Sequence, residues 1–287
     1  KIISSNDESG FTFRGRFITS DQAATVGMEA TQKAHMALRW LISRQGYSKE
    51  GLAIVAWATS GASIPKPTDD ALSTLELDDL PSDERSTVAT AQEIAIRLRK
   101  KIAGYGNKLG ETTGIAVMAL DSATPGQGRM AITYYRELTG SDYLQRINDW
   151  HESCAWIHSY RKIVEQNHKG KSTSKYIPFI GAPAPADIAE AAYGQMVDDK
   201  LKKATIARLL PCIIDGQPIP YDLVVSTVRR ACNRSAMDKW EWNKTLSIAC
   251  ALFKKYNRKE NYDMALDLNR NTRDYLYGRL LALAESL

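Results

Sequence analysis

Catalytic chemistry is the first thing to look for in this sequence, and the motifs that suggest it fail on spacing. Gly170, Lys171 and Ser172 imitate the end of a phosphate-binding P-loop, but that motif needs its first glycine at the position held by Glu165. It also needs a strand before the loop, where the pattern here reads as helix. Gly104, Gly106 and Gly110 echo a dinucleotide turn, yet they follow a helical pattern and precede a strand, the reverse of the required order. A helix end followed by a loop accounts for them better. His151, Cys154 and His158 stand at i, i+3 and i+7, so one helix face would offer three metal ligands. A closed structural site needs a fourth, and Cys154 falls on the apolar stripe, so buried packing is the preferred reading. His35 reads as a half-exposed polar neighbour, not a base. The pairs Asp69/Asp70, Asp78/Asp79 and Asp198/Asp199 suit solvated loops and caps, not a two-metal centre. With four histidines and no Gly-x-Ser-x-Gly or His-Glu-x-x-His run, the chain is expected to be non-catalytic, without metal or cofactor.

Phosphate binding by cations has better support. Arg14 and Arg16 share one face of an alternating FTFRGRF segment, about 7 Å apart, close to the spacing of successive phosphates on one strand. Arg161 and Lys162 lead into a Gly/Ser-containing segment with Lys169, Lys171 and Lys175, which reads equally as a backbone clamp or as a solvated basic linker. Arg230 and Arg234 are i, i+4 neighbours with Arg229 beside them. Lys254, Lys255 and Arg258 gather at the end of the next helix, where the helix dipole explains part of the clustering. Of Trp240 and Trp242, one is expected to anchor the helices and not to stack on a base.

Composition sets the outer bounds. The 287 residues carry a formal charge of +5, with 44% hydrophobic and 25% charged residues, enough for one large domain or two smaller ones. Acids prevail over residues 66–93, whereas five bases face only Glu165 over residues 161–175, so a polyanion is drawn to the second stretch. The four cysteines lie far apart in apolar runs and read as small hydrophobes of a reducing cytoplasm. No apolar run reaches the roughly 18 residues that cross a bilayer. The opening Lys1 and the residues after it read as mid-protein sequence, as in the latter part of a longer chain.

These residues need elements to position them, and periodicity predicts an α+β chain. A strand is predicted over residues 11–17, then a long helix from a capping box at Thr19 and Gln22 to about Gln45, stopped by Gly46. Its stripe Val26, Ala30, Ala34, Leu38, Leu41 and Ile42 should pack on a sheet. Residues 51–58 (GLAIVAWA) read as a buried strand, and residues 59–85 as an exposed loop. A helix over 86–102, strands over 113–120 and 129–137, and a helix over 141–166 complete a mixed α/β layer with a small sheet, residues 1–166. Residues 167–185, with three prolines, read as a basic linker. Residues 186–287 read as a helical bundle of four or five helices, interrupted at Pro211 and closing with 273–287.

The blocks SSND, GFTFRGRF, QAATVG and QKAH near the start, IVAWA at 54–58, RMAITYYREL at 129–138, residues 180–183 and YLYGRLLALAE at 275–285 run in order along the chain. Together they resemble the large subunit of the type I-C CRISPR Cascade complex, without its N-terminal half. The resemblance implies a scaffold in a crRNA-guided surveillance complex that helps recognise the protospacer-adjacent motif. Such a subunit holds target double-stranded DNA and its displaced strand, and offers a landing surface for the recruited helicase-nuclease. Guide pairing reads the sequence there, while protein reads a short duplex motif and backbone. Expected partners are crRNA-bearing Cascade backbone subunits and small subunits, with no membrane, and the helices after Pro185 resemble a small subunit. Arg14, Arg16 and Lys33 lie in matching blocks, whereas Lys169, Lys171 and Lys175 rest on charge alone. The alternative is a purely structural protein-protein module of the complex, without direct DNA contact.

Overall fold

The computed structural model describes residues 28–75, 88–109, 113–122, 130–166, 172–258 and 266–286. The strand predicted over 11–17 and the start of the helix after it lie outside them. Four strands, β1 (Tyr47–Lys49), β2 (Leu52–Ala58), β3 (Gly114–Asp121) and β4 (Ala131–Thr139), form an antiparallel sheet in that order. Glu50 and Gly51 both take positive φ, 48° and 82°, which is what the tight turn from β1 to β2 requires. Leu52, Ile54, Ala56 and Ala58 pair with Asp121, Ala119, Val117 and Ile115, and their common face joins the main core. Ala53 and Val55 on the opposite face are buried too. Burial on both faces is why the run carries no polar alternation.

Helix α1 (Met28–Gln45) packs against β2, and Gln45 in its last turn donates to the Ala56 carbonyl at 2.5 Å. Leu38, Leu41 and Ile42 are half-buried, whereas Ala30 and Ala34 of the expected stripe are exposed. Helix α2 (Val88–Leu109) buries Ile94, Leu98 and Ile102 as predicted, and runs on through Gly104 and Gly106, so neither glycine lies in a loop.

Three stretches depart from the sequence reading. Within residues 59–75, expected to be an exposed loop, Ile64, Asp70, Ala71, Leu72, Thr74 and Leu75 are buried. Proline and aspartate rule out regular structure there without ruling out burial, because turns satisfy the backbone locally. The helix predicted over 141–166 is α3 (Gly140–Ser153), capped by Thr139, whose Oγ1 accepts from the Asp142 N–H at 3.1 Å. Beyond it the chain makes β5 (Trp156–His158) and β6 (Lys162–Gln166). These pair antiparallel with β8 (Phe179–Gly181) and β7 (Ser172–Tyr176), so a hairpin between β6 and β7 and a longer-range pairing of β5 override a helical pattern.

The segment expected to be a linker therefore carries β7 and β8, and the apolar core runs across it without a break. Helices α4 (Pro185–Tyr193), α5 (Asp199–Ile214), α6 (Tyr221–Ala231) and α7 (Lys239–Tyr256) pack together. Their Ile188, Ile206, Leu209, Ile213, Leu223, Ile248 and Leu252 belong to the same cluster as the sheet. Pro211 does not interrupt α5: the helix runs on to Ile214 although the proline nitrogen has no proton to donate, and the Pro211 carbonyl accepts from the Asp215 N–H at 2.9 Å. Helix α8 (Arg273–Ser286) belongs to a second unit, residues 257–287, separate from the compact unit that ends at Tyr256. The architecture is α+β, a small antiparallel sheet with helices gathered in the C-terminal half, as the periodicity predicts.

Candidate nucleic-acid interface

Two of the cations assigned to phosphate point into the protein. Arg161, just after β5, donates through Nε to Asp70 Oδ2, and its Nη2 lies 3.4 Å from Asp187 Oδ2. Asp187 and Glu190 project from α4 to the Lys244 ammonium of α7 at 2.7 and 2.6 Å, and Lys202 of α5 closes on Glu190. Three acids and three bases thus form one chain of ion pairs joining the 59–75 segment, the β5–β6 connection and three helices. The Lys244 side chain is only 8% exposed, and an unpaired buried ammonium would be costly. Burial works against its charge, but Asp187 and Glu190 outweigh it and raise its pKa. For Glu190 burial again opposes ionisation, and the hydrogen bonds from Lys202 and Lys244 win, lowering its pKa. Arg230 is also internal: Nη2 donates to Glu241 at 2.7 Å and Nε to the Ala191 carbonyl at 3.1 Å. Arg161 and Arg230 thus give donors to internal acids, which leaves less of each guanidinium for a phosphate than the sequence reading assigns.

Other predicted cations face solvent. Arg229, Arg234, Lys254 and Arg258 are exposed, as is Lys162 at the start of β6. The Arg234 guanidinium lies 4.9 Å from the Trp242 ring centroid. Trp242 donates its indole N–H to the Ala231 carbonyl at 2.8 Å, so it is the helix anchor of the two tryptophans. Lys254 reaches the Ala155 carbonyl at 3.0 Å, which sets the end of α7 beside the turn after α3. Lys255 is half-buried in the same place, donating to Ser153 Oγ at 2.8 Å and sitting 4.5 Å from the Trp150 ring centroid. It contributes packing more than reach. Lys33 on α1 is exposed and pairs with Glu29 one turn earlier at 2.6 Å. Lys175 lies on β7 opposite Ile163. Arg14, Arg16, Lys169 and Lys171 lie outside the described residues.

Sequence reasoning missed an aromatic pair at the end of α7. Tyr256 and Tyr221 are both exposed, their ring centroids 5.3 Å apart and their planes 37° apart. Tyr256 follows Lys254 and Lys255 and precedes Arg258, so apolar rings stand among cations, the composition that suits a nucleic-acid strand. The signal was weak because Tyr221 is 35 residues from Tyr256 in sequence.

The histidine and cysteine group is structural. His158 lies on β5, so it does not share a helix face with His151 and Cys154. His151 Nδ1 accepts from the Ala182 N–H at 3.3 Å. His158 Nε2 lies 3.2 Å from the Gly181 carbonyl, and Nδ1 lies 3.1 Å from Ser247 Oγ. Burial pushes both imidazoles down to about 4 and the Cys154 thiol up to about 11, so at neutral pH all three are uncharged. Among the described residues, no group of three or more His, Cys, Asp and Glu could hold a metal ion, and no helix is long and apolar enough to cross a membrane.

Comparison with curated proteins yields no match. A protein-family model matches residues 1–287, the whole chain. Its description is CRISPR-associated protein (Cas_Csd1), and the chain belongs to that family.

Proposed function

We propose that this protein is a non-catalytic scaffold subunit of a crRNA-guided antiviral DNA surveillance complex, of the type I-C Cascade large-subunit kind. In this reading it contributes to recognition of the protospacer-adjacent motif, binding of target DNA and its displaced strand, and recruitment of the helicase-nuclease. Family membership supports the setting, and the single observation that carries nucleic-acid contact is the outward set of cations on α6, on the turn after it, and at and just past the end of α7. Arg229, Arg234, Lys254 and Arg258 have no acidic ion-pair partner among the described residues, while Lys244, Arg161 and Arg230 do. Cations left to solvent can displace counterions from a phosphate backbone, and those in internal pairs cannot.

A purely structural role is the second reading. It is favoured by α8, on which Leu276, Tyr277, Leu280, Leu281 and Leu283 are all exposed, an excess of apolar surface that suits a partner subunit. The two readings separate when Arg229, Arg234, Lys254 and Arg258 are changed to Glu in the assembled complex. Direct contact predicts weaker binding to target duplex and a shallower dependence of affinity on salt. Unchanged affinity and slope at low salt would leave the structural role.

A further inference from the structure

The C-terminal turns of α1, the end of β2 and the chain just after it enclose a cleft of about 240 Å³ lined by Trp40, Leu41, Arg44, Trp57, Gly61 and Lys66, among others. That is smaller than the roughly 300–1,000 Å³ of clefts for drug-sized ligands, and so suits a single flat ring. Two tryptophans line it, and Trp40 is 55% exposed, a large indole surface left to solvent. The Arg44 guanidinium lies over the Trp40 ring, 4.8 Å from its centroid, holding a cation against one face of the indole. Lys66 supplies a second cation, with Asp69 as its acidic neighbour, whereas no carboxylate lines the cleft among the described residues. Gly61 turns the chain at φ 76°, and open space stands where its Cβ would be, so the wall there is bare backbone. The exposed Ser63 offers a hydroxyl to a ring edge.

We infer that this cleft takes one unstacked nucleobase of a single-stranded nucleic acid, stacked on Trp40 or Trp57, with the adjoining phosphate on Arg44. The inference rests on the nucleic-acid reading above and adds a site that the α6 and α7 cations do not include. Stacking on an indole is tolerant of base identity, since every base has a π face, so the cleft holds a strand without reading it.

The test uses the full chain with a short fluorescent oligothymidylate, anisotropy at low salt, and photocrosslinking from 5-iodouracil followed by peptide mapping. Trp40→Ala is expected to lose about tenfold in affinity, while Trp40→Phe, which keeps a ring, stays near the parent. Arg44→Glu should weaken binding as well, and crosslinks should fall on the peptides holding Trp40 or Trp57. Because Trp40 is half-exposed, its removal should leave the circular dichroism spectrum unchanged. Parent-like affinity of Trp40→Ala, with crosslinks confined to α6 or α7, overturns the cleft and leaves the broader reading standing. Failure of the parent chain to bind the oligonucleotide at any salt overturns both.

Discussion

Lys244 and Lys254 lie on one helix, ten residues apart, and end in opposite surroundings. Lys244 is sealed between Asp187 and Glu190, with its Nζ also 5.2 Å from the Tyr160 ring centroid. Lys254 is exposed, and it donates to the carbonyl of Ala155. Arg161 and Lys162 repeat the contrast between adjacent residues, one tied to Asp70 and the other exposed. The comparison teaches that a cation's place on the fold, not its presence in a basic stretch, decides whether it can meet a phosphate. Inner cations fix how the sheet region and the helices are joined; outer ones are left for a polyanion.

Acid should break the inner region first. The native state keeps His151 and His158 neutral down to about pH 4, whereas unfolded histidines protonate near 6.5. Between those values the unfolded chain binds more protons, so stability rises with pH and falls on acidification. Urea denaturation should show a loss on the order of 5 kcal/mol between pH 7 and pH 4. In the His151→Asn, His158→Gln double variant the curve should be much flatter over that window. Glu190, with its lowered pKa, contributes stability that is present above the ordinary carboxylate value and is lost as pH falls through its folded pKa. A flat profile in the parent protein would contradict the buried, neutral histidines.

Removing one inner cation should cost nearly as much. Lys244→Ala leaves Asp187 and Glu190 without their shared ammonium, and a broken buried pair costs about 3–5 kcal/mol in urea denaturation at pH 7. Gly181→Ala is expected to be milder, at about 1–3 kcal/mol by the same measurement. Its Cβ would clash with the Cβ of buried Ala71, where β8 meets the 59–75 segment. The outer cations should give the smallest stability change. Lys254→Glu with Arg258→Glu should shift unfolding by less than about 1 kcal/mol. If both side chains meet phosphates of a single strand, the same variant lowers the salt slope of binding by about 1.4. Large destabilisation without a change in slope would erase the contrast.

Much of the fold is written locally. Within the GLAIVAWA run, the seven residues LAIVAWA became β2, an uncharged stretch that suits a strand covered on both faces. The face of Ile94, Leu98 and Ile102 became the buried side of α2 because helical periodicity survives whatever packs on it. The 154–166 stretch departs from its helical pattern because strand character there comes from pairing, of β5 with the more distant β8 and of β6 with β7 in a hairpin that the apolar period does not reveal. The site was less legible than the fold. Charge clusters are visible in sequence, but Tyr221 meets Tyr256, and Trp40 shares a cleft with Trp57, only after the chain folds.

The sequence by itself determined the α+β class, the buried strand and helix faces, and an uneven supply of cations, since each follows from spacing along the chain. Tertiary structure alone decided which cations are spent on Asp70, Asp187, Glu190 and Glu241 and which remain for a ligand. The physical reason is that ion pairing and burial depend on distance in space. Residues 91 apart, such as Asp70 and Arg161, become neighbours only when a core holds them there.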